Sequence, residues 1–288
     1  MYLGNIISIN DGSAILQHRE RLHSVKLAML ETLRATRYLT PLREGGSLPA
    51  LVEAEDDGIY VLKFRGAGQG VKALIAEIIS GEIARALGLP VPNLALMQLD
   101  PMLGANEPDY EIRTLITTSG GLNLGMDYLP GSISFDPAVN KVDAKLASAI
   151  VWLDAFTTNV DRTARNTNML MWHKKLYLID HGASLYFHHQ WPLAEDKFKS
   201  PFAAIKDHVL LPVATEIELQ AIELKSKLTP KVIREIVHLV PDEWLESEPH
   251  FTNATEHREA YVDYLLSRLD ASAIFEQEAI NARAKIIG

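Results

Sequence analysis

Residues 159–184 read NVDRTARNTNMLMWHKKLYLIDHGAS, and they surround two short apolar runs with polar side chains. The runs Met169–Trp172 and Leu176–Ile179 flank a polar turn, a pattern typical of two antiparallel strands. We therefore predict a β-hairpin whose midpoint falls in that turn. This register places Asn166 and Asp180 nearly opposite each other at the open end of the hairpin.

The open end of the predicted hairpin carries oxygen donors. An amide oxygen from Asn166 and a carboxylate from Asp180 suit Mg²⁺, which takes few protein ligands beside phosphates and water. Asp161 lies five residues before Asn166 on the same loop. A carboxylate beside a metal–phosphate site can accept the proton of an attacking hydroxyl. The stretch therefore indicates phosphoryl transfer, with Asn166 and Asp180 as metal ligands and Asp161 as the proton acceptor.

Phosphoryl transfer also requires positive charge on the phosphates, and Lys63 is the candidate. It ends the apolar run Ile59–Lys63 in a pattern that resembles the strand lysine of protein kinases. Such a lysine is usually held by a glutamate on a helix. The helix predicted over residues 71–87 offers Glu82 on its apolar face and Glu77 at the edge of that face. The spacing alone does not choose between these two glutamates.

The remaining predicted elements place strands before helices. Strands are predicted at Leu51–Ala54, Ile59–Leu62, Leu94–Leu99 and Leu122–Leu129. The sequence Asp57-Gly58 between the first two predicts a hairpin. A loop is predicted from Tyr38 to Pro49, and Glu111–Thr117 is left unassigned. Helices are predicted at Val71–Leu87, Asp143–Phe156 and through much of residues 213–286, with breaks at Pro230, Pro241 and Pro249.

This order predicts an α+β protein with two lobes rather than one layered sheet. The 288 residues agree with about two domains. Apolar residues at steps of three and four over residues 15–34 predict an amphipathic helix, so we assign residues 1–35 to an N-terminal helical extension. The first lobe is predicted at residues 36–126 and the second at residues 127–288.

The composition narrows the classes of partner and compartment. The net charge is −9 at pH 7, and the sequence has no long run of Lys and Arg, so we expect no nucleic-acid partner. Cysteine is absent, which excludes disulfides, thiolate metal sites and a cysteine nucleophile. No apolar run approaches the ~18 residues of a membrane span. We expect a cytoplasmic protein without membrane contact.

These motifs, in this order, resemble the HipA-like kinases over roughly residues 38–212. The first matching positions are a strand lysine, Lys63, and a helix glutamate, Glu77, that precedes the Gly-Leu-Pro-Val-Pro sequence at Gly88–Pro92. The others are an Asp and an Asn five residues apart, Asp161 and Asn166, and the Asp-x-Gly sequence Asp180–Gly182. One departure is Thr163, where loops of this family favour His.

The resemblance implies a bilobal protein-kinase-like fold with a small β-rich N-lobe and a mostly helical C-lobe. It also implies ATP and Mg²⁺ as cofactors. The implied reaction is transfer of the γ-phosphate to a hydroxyl of an unknown protein or small molecule, and a Ser or Thr hydroxyl of a protein is the first candidate for that acceptor. Two alternatives stay open: a pseudokinase-type nucleotide-binding or interaction module, and transfer of AMP on the same fold. An antitoxin-like partner is a further expectation of the resemblance.

The resemblance also implies roles for single residues. Its spacing favours Glu77 over Glu82 as the partner of Lys63, and Arg165 stands where the family favours a lysine beside the catalytic Asn. Two further nucleotide-binding sites are implied. The counterpart of the phosphate loop is the segment Gly45, Gly46 and Ser47, and the hinge that would hold adenine contains Asp127 and Tyr128.

Overall fold

A closed five-stranded barrel opens the computed structural model, which describes residues 29–42, 48–192 and 195–287. The strands run in the order β1-β2-β3-β5-β4 around the barrel. Their bounds are Thr32–Pro41 for β1, Ala50–Ala54 for β2, Ile59–Lys63 for β3, Leu94–Leu99 for β4 and Gly121–Asp127 for β5. Strand β1 closes the barrel, since it pairs antiparallel with β2 and parallel with β4.

Strand β1 corrects two predictions. The sequence pattern predicts the end of a helix at residues 32–34 and a loop that begins at Tyr38. Both predictions are wrong, because the backbone of Thr32–Arg34 pairs with Leu96–Gln98 and that of Tyr38–Pro41 pairs with Ala50–Val52. The rest of the predicted helix, residues 15–28, lies outside the described residues.

The hairpin of β2 and β3 is confirmed. Leu51 pairs with Val61 and Glu53 with Ile59 in an antiparallel register. Asp57 adopts a left-handed conformation with φ of 62°, which short polar residues tolerate in tight turns. The hairpin places Lys63 at the end of β3, where it pairs with Leu124 of the neighbouring strand β5.

Helix α1 (Val71–Leu87) lies between β3 and β4 in the chain and is buried over most of its surface. Ile75, Ile78 and Ile79 are fully buried, because they share one apolar core with Leu124 of β5 and with later helices that contact α1. The helix ends at Gly88, whose left-handed φ of 85° allows its N–H to cap the last turn. The predicted bounds of this helix are therefore confirmed.

Helix α2 (Tyr110–Thr118) forms where the sequence pattern predicts neither a helix nor a strand. The side chain of Asp109 caps its N-terminus by accepting hydrogen bonds from the N–H groups of Glu111 and Ile112, at 3.0 and 3.4 Å. Ile112 and Ile116 then pack into the barrel core. A 3-10 turn at Pro101–Gly104 precedes this helix.

The second part of the chain is mainly helical and contains one small sheet. That sheet has the order β6-β7-β8, with bounds Ile133–Ser134, Met169–Trp172 and Lys175–Leu178. The helices are α3 (Ala144–Thr157), α4 (Glu195–Phe198), α5 (Ile217–Lys227), α6 (Pro230–Val237), α7 (Asp242–Leu245), α8 (Ala254–Asp270) and α9 (Ser272–Ile287). Short 3-10 turns lie at Tyr186–Gln190, Ala203–Asp207 and Leu211–Val213.

Two of the predicted proline breaks coincide with helix starts. Pro230 occupies the first turn of α6, where its missing N–H costs no hydrogen bond, and Pro241 immediately precedes α7. The large apolar core joins α1 to this helical part, and Trp152, Phe156 and Trp244 are fully buried in it. Among the helices described, none has both the length and the apolar character that crossing a bilayer requires.

Candidate active site

The hairpin predicted at residues 169–179 is present. Met169 of β7 pairs with Leu178 of β8, and Trp172 pairs with Lys175. The turn residues His173 and Lys174 both have positive φ, as the tightest hairpin turns require. Beyond the strands, the N–H of Ile179 donates to the carbonyl of Asn168 at 3.0 Å, so the ladder extends to the open end.

Lys63 joins two of the predicted residues. Its ammonium group is buried and donates hydrogen bonds to Oε1 of Glu77 and to Oδ1 of Asp180. Burial by itself would lower the pKa of Lys63, but the carboxylates of Asp180 and Glu77 outweigh it and raise that pKa above its usual value. The lysine is therefore charged at neutral pH and holds strand β3, helix α1 and the end of the hairpin together.

Glu77 is the glutamate that contacts Lys63. The same carboxylate accepts hydrogen bonds from the backbone N–H groups of His181 and Gly182, each at 2.9 Å. A Cβ atom at position 182 would lie only 3.2 Å from Oε1 of Glu77, so the close approach favours glycine there. Glu82 is buried on the same helix, but its carboxylate bonds to Arg85 at 3.2 Å.

Asp180 presents the most open carboxylate of this cluster. Its side chain is 48% exposed, whereas the side chain of Glu77 is only 4% exposed. Lys63 is the main cause that holds the pKa of Asp180 below its usual range. Oδ1 of Asp180 bonds to Lys63, and Oδ2 makes no hydrogen bond to the part of the chain that the structure describes. One carboxylate oxygen is thus open to a cation.

The loop around Asp161 is held by asparagines. Its Oδ2 atom accepts hydrogen bonds from Nδ2 of Asn166 at 2.7 Å and of Asn168 at 3.2 Å. Its backbone N–H donates to Oδ1 of Asn159 at 3.1 Å. Because Asn166 donates through Nδ2, its Oδ1 atom remains a possible metal ligand. Within the described chain no hydrogen bond joins Asn166 to Asp180.

The remaining predicted residues are Arg165 on the loop, a glycine-rich segment and the two residues of the predicted hinge. Arg165 is exposed on the loop and makes no ion pair with any residue that the structure describes. Gly45, Gly46 and Ser47 lie outside the described residues. At the proposed hinge, the backbone N–H groups of Asp127 and Tyr128 already donate to backbone carbonyls, at 2.9 and 3.0 Å.

Sequence reasoning missed a buried ionic network beneath the Asp161 loop. Oδ2 of Asp154 accepts from Nε of Arg162 at 2.6 Å and contacts Nε2 of His208 at 2.9 Å. Burial alone would raise the pKa of Asp154, but Arg162 and His208 more than offset that and lower it. The available signal was an aspartate inside the strongly apolar segment Ile150–Phe156, since buried charges are normally paired.

Comparison with known proteins bears on the fold and the family. The crystal structure of a Helicobacter pylori proinflammatory kinase, CtkA, is similar with a TM-score of 0.51 and 11% identity, covering 88% of this chain and 99% of that one. A Golgi casein kinase solved with Mn and ADP bound gives a TM-score of 0.46 and 15% identity, covering 88% and 74%. The similarity to CtkA shows that the fold is protein-kinase-like.

Sequence comparison assigns the family. No significant match was found among curated proteins. The HipA-like kinase family matches residues 36–278, which is most of the chain and includes Lys63, Glu77, Asp161 and Asp180. The protein therefore belongs to the HipA-like kinase family.

Proposed function

We propose that this protein is an ATP- and Mg²⁺-dependent kinase that transfers the γ-phosphoryl group to a hydroxyl, with protein Ser or Thr as the acceptor class. The observation that carries the proposal is the contact of one buried lysine, Lys63, with both Glu77 and Asp180. This triad joins a barrel strand, a helix and the metal-binding end of a hairpin. Membership of the HipA-like kinase family supports the same chemistry.

We propose that ATP lies between two lobes, at residues 36–126 and 127–288. Lys63 at the end of β3 then faces the phosphates. Adenine needs backbone donors near the end of β5, where the N–H groups of Asp127 and Tyr128 are occupied. We assign that role to the N–H of Leu129, which makes no hydrogen bond within the described chain.

The side chains at the hairpin end fit Mg²⁺. Their donors are hard oxygen atoms, from the half-exposed carboxylate of Asp180 and the exposed amide of Asn166. No cluster of three or more His, Asp and Glu side chains suited to a metal occurs among the described residues. A site with only these two protein oxygen ligands suits Mg²⁺, which usually completes its coordination with phosphate and water oxygens.

Each residue has a separate part in the reaction. Bound Mg-ATP supplies the phosphoryl group and a leaving group whose charge the cation offsets. Lys63 positions the phosphates, and Glu77 fixes both Lys63 and the Asp180 turn. Asp161 accepts the proton of the acceptor hydroxyl while a new bond from that oxygen to phosphorus replaces the bond to ADP. Asn166 and Asn168 orient the carboxylate of Asp161.

A nucleotide thermal-shift experiment tests this function. Mg-ATP is expected to raise the melting temperature, because a ligand that binds only the folded state stabilises it by ~2.7 kcal/mol at a hundredfold excess over its dissociation constant. ATP without Mg²⁺ is expected to give a smaller shift, since Asp180 then repels the phosphates. The absence of any shift at millimolar nucleotide would contradict the proposal.

A pair of glutamate variants tests the role assigned to Glu77. Glu77→Gln is expected to reduce ATP turnover by up to about 100-fold, because small displacements of positioning groups have effects of that size. Glu82→Gln is the matched control: it removes an equally buried charge from the same helix, but that charge bonds to Arg85. A greater loss in folded Glu82→Gln than in Glu77→Gln would reverse the assignment.

A further inference from the structure

Arg162 lies beneath the proposed active site, and the roles assigned above do not include it. It directly follows Asp161, and its side chain is fully buried. Nη1 donates to the carbonyl of Asn168 and, at 3.5 Å, to the carbonyl of Ile179. Nη2 lies 3.4 Å from Nδ1 of His181. One guanidinium group thus contacts both sides of the hairpin's open end.

The charge of Arg162 is balanced on helix α3. Nε donates to Oδ2 of Asp154, and Oδ1 of Asp154 accepts from Nδ2 of Asn159 at 3.0 Å. Oδ1 of Asn159 in turn accepts the N–H of Asp161. Asp154 therefore supports the Asp161 loop by two routes, one through Arg162 and one through Asn159. Only the route through Arg162 also reaches the residue before Asp180.

The backbone on both sides of this contact is constrained. Asn168 has φ of 47° and Asp180 has φ of 54°, both in the left-handed region. Such conformations in residues other than glycine persist where the surrounding structure holds them. The carbonyl that Arg162 binds on one side belongs to Asn168, and on the other side it belongs to the neighbour of Asp180.

We propose that Arg162 is a positioning residue that fixes the loop of Asp161 and the turn of Asp180 relative to each other. The inference rests on the proposed function for its effect on catalysis, but not for its effect on the backbone. A planar guanidinium can donate in several directions at once, whereas a lysine ammonium is a compact point charge. Arg162→Lys therefore keeps the positive charge opposite Asp154 but loses the hydrogen bonds by which one side chain contacts the carbonyls of both Asn168 and Ile179.

The experiment compares hydrogen exchange in the full chain for the wild type, Arg162→Lys and Arg268→Lys. Arg268 is the matched control, because it is also buried and donates to several backbone carbonyls, but none of these belongs to the Asp161 loop or to the Asp180 turn: they are those of Ala155, Phe156 and Ser200. Exchange in Arg162→Lys is expected to rise together in residues 159–168 and 178–182. In Arg268→Lys these two segments are expected to keep the wild-type exchange.

Turnover provides the second readout, corrected for the folded fraction of each variant. Arg162→Lys is expected to lower the rate by about 10–100-fold and to raise the Mg²⁺ concentration for half-maximal turnover, as loss of a supporting group does at metal sites. Arg268→Lys is expected to lower the melting temperature without either change. If the two variants behave alike per folded molecule, Arg162 has only a structural role and the proposal is overturned.

A third variant keeps the proposal testable if Arg162→Lys does not fold. Asn159→Ala removes the other route from Asp154 to Asp161 and leaves Arg162 in place. Its exchange is expected to rise in residues 159–168 alone, whereas a rise in residues 178–182 as well would overturn the proposal. A wild type without ATP turnover would overturn the proposed function, while the coupled rise in Arg162→Lys would still support positioning by Arg162.

Discussion

Asp161→Asn is expected to reduce phosphoryl transfer by ~10²–10⁴-fold, the usual contribution of a general base. The affinity for Mg-ATP is expected to stay nearly unchanged, because we assign Asp161 to the acceptor, and its carboxylate bonds to Asn166 and Asn168 rather than to Lys63. An asparagine oxygen can still accept those two hydrogen bonds, so the loop should keep its conformation. Titration calorimetry with Mg-ATP and a measurement of autophosphorylation or ATP hydrolysis check the two parts.

Asp180→Asn is the contrasting variant for this prediction. It removes a charge that bonds to Lys63 and that we assign to the metal, so Mg-ATP binding and turnover are both expected to fall. An unchanged rate in folded Asp161→Asn would remove Asp161 from the mechanism. A fall in ATP affinity as large as that of Asp180→Asn would place Asp161 at the metal instead.

Asp154→Ala is expected to reduce the free energy of unfolding by about 3–5 kcal/mol, the usual cost of removing one partner from a buried ion pair. Arg162 would keep its buried charge but lose the carboxylate that balances it, and His208 would lose the same partner. Urea denaturation of both proteins measures the difference. The expected loss is a large fraction of the ~5–15 kcal/mol that stabilises a typical domain.

Asp143→Ala is the matched control for Asp154→Ala, because both aspartates serve the same helix. Asp143 is exposed and caps α3 by accepting the N–H of Leu146 at 2.8 Å, so its loss should cost only ~0.5–2 kcal/mol. Arg162 and His208 lower the pKa of Asp154 despite its burial. The contribution of Asp154 to the free energy of unfolding is therefore fully present above a pH of ~3.9, the pKa of an unfolded aspartate. The difference should shrink as the pH falls below that value. A cost no greater than that of Asp143→Ala would refute the network's role in stability.

Much of the fold follows from local patterns in the sequence. The hairpins at β2–β3 and β7–β8 have turn residues and apolar runs that identify them without tertiary information. Helix α1 has a glycine stop, and its bounds match the prediction. The resemblance to the HipA-like kinases is confirmed by the family match, since the motif spacing is a property of the sequence itself.

Strand β1 could not be found in this way. Leu33 continues an apolar pattern with steps of three and four, which indicates a helix when it is considered alone. Its strand conformation depends on pairing with β4, a partner more than 60 residues along the chain. Tertiary pairing therefore overrides the local pattern here.

The candidate site shows the same division. Glu82 lies on the apolar face by spacing, yet both Glu77 and Glu82 are buried, because helix α1 is buried over most of its surface. Which glutamate meets Lys63 depends on the rotation of the helix relative to the barrel. The contacts of Arg162 depend likewise on loop conformation. Amino-acid spacing identifies the candidate groups, but it does not reveal which buried group bonds to which.

The most direct test of phosphoryl transfer is to determine which labelled phosphate of ATP the protein transfers. The wild-type protein is incubated with Mg²⁺ and ATP labelled at either the γ- or the α-phosphate, and label in the protein and in released phosphate is measured. We predict that γ-label appears in one or both, that α-label remains in ADP, and that Asp161→Asn abolishes most of the signal. Label transferred from the α position, or no transfer from either position, would contradict the assignment of this protein as a γ-phosphoryl kinase.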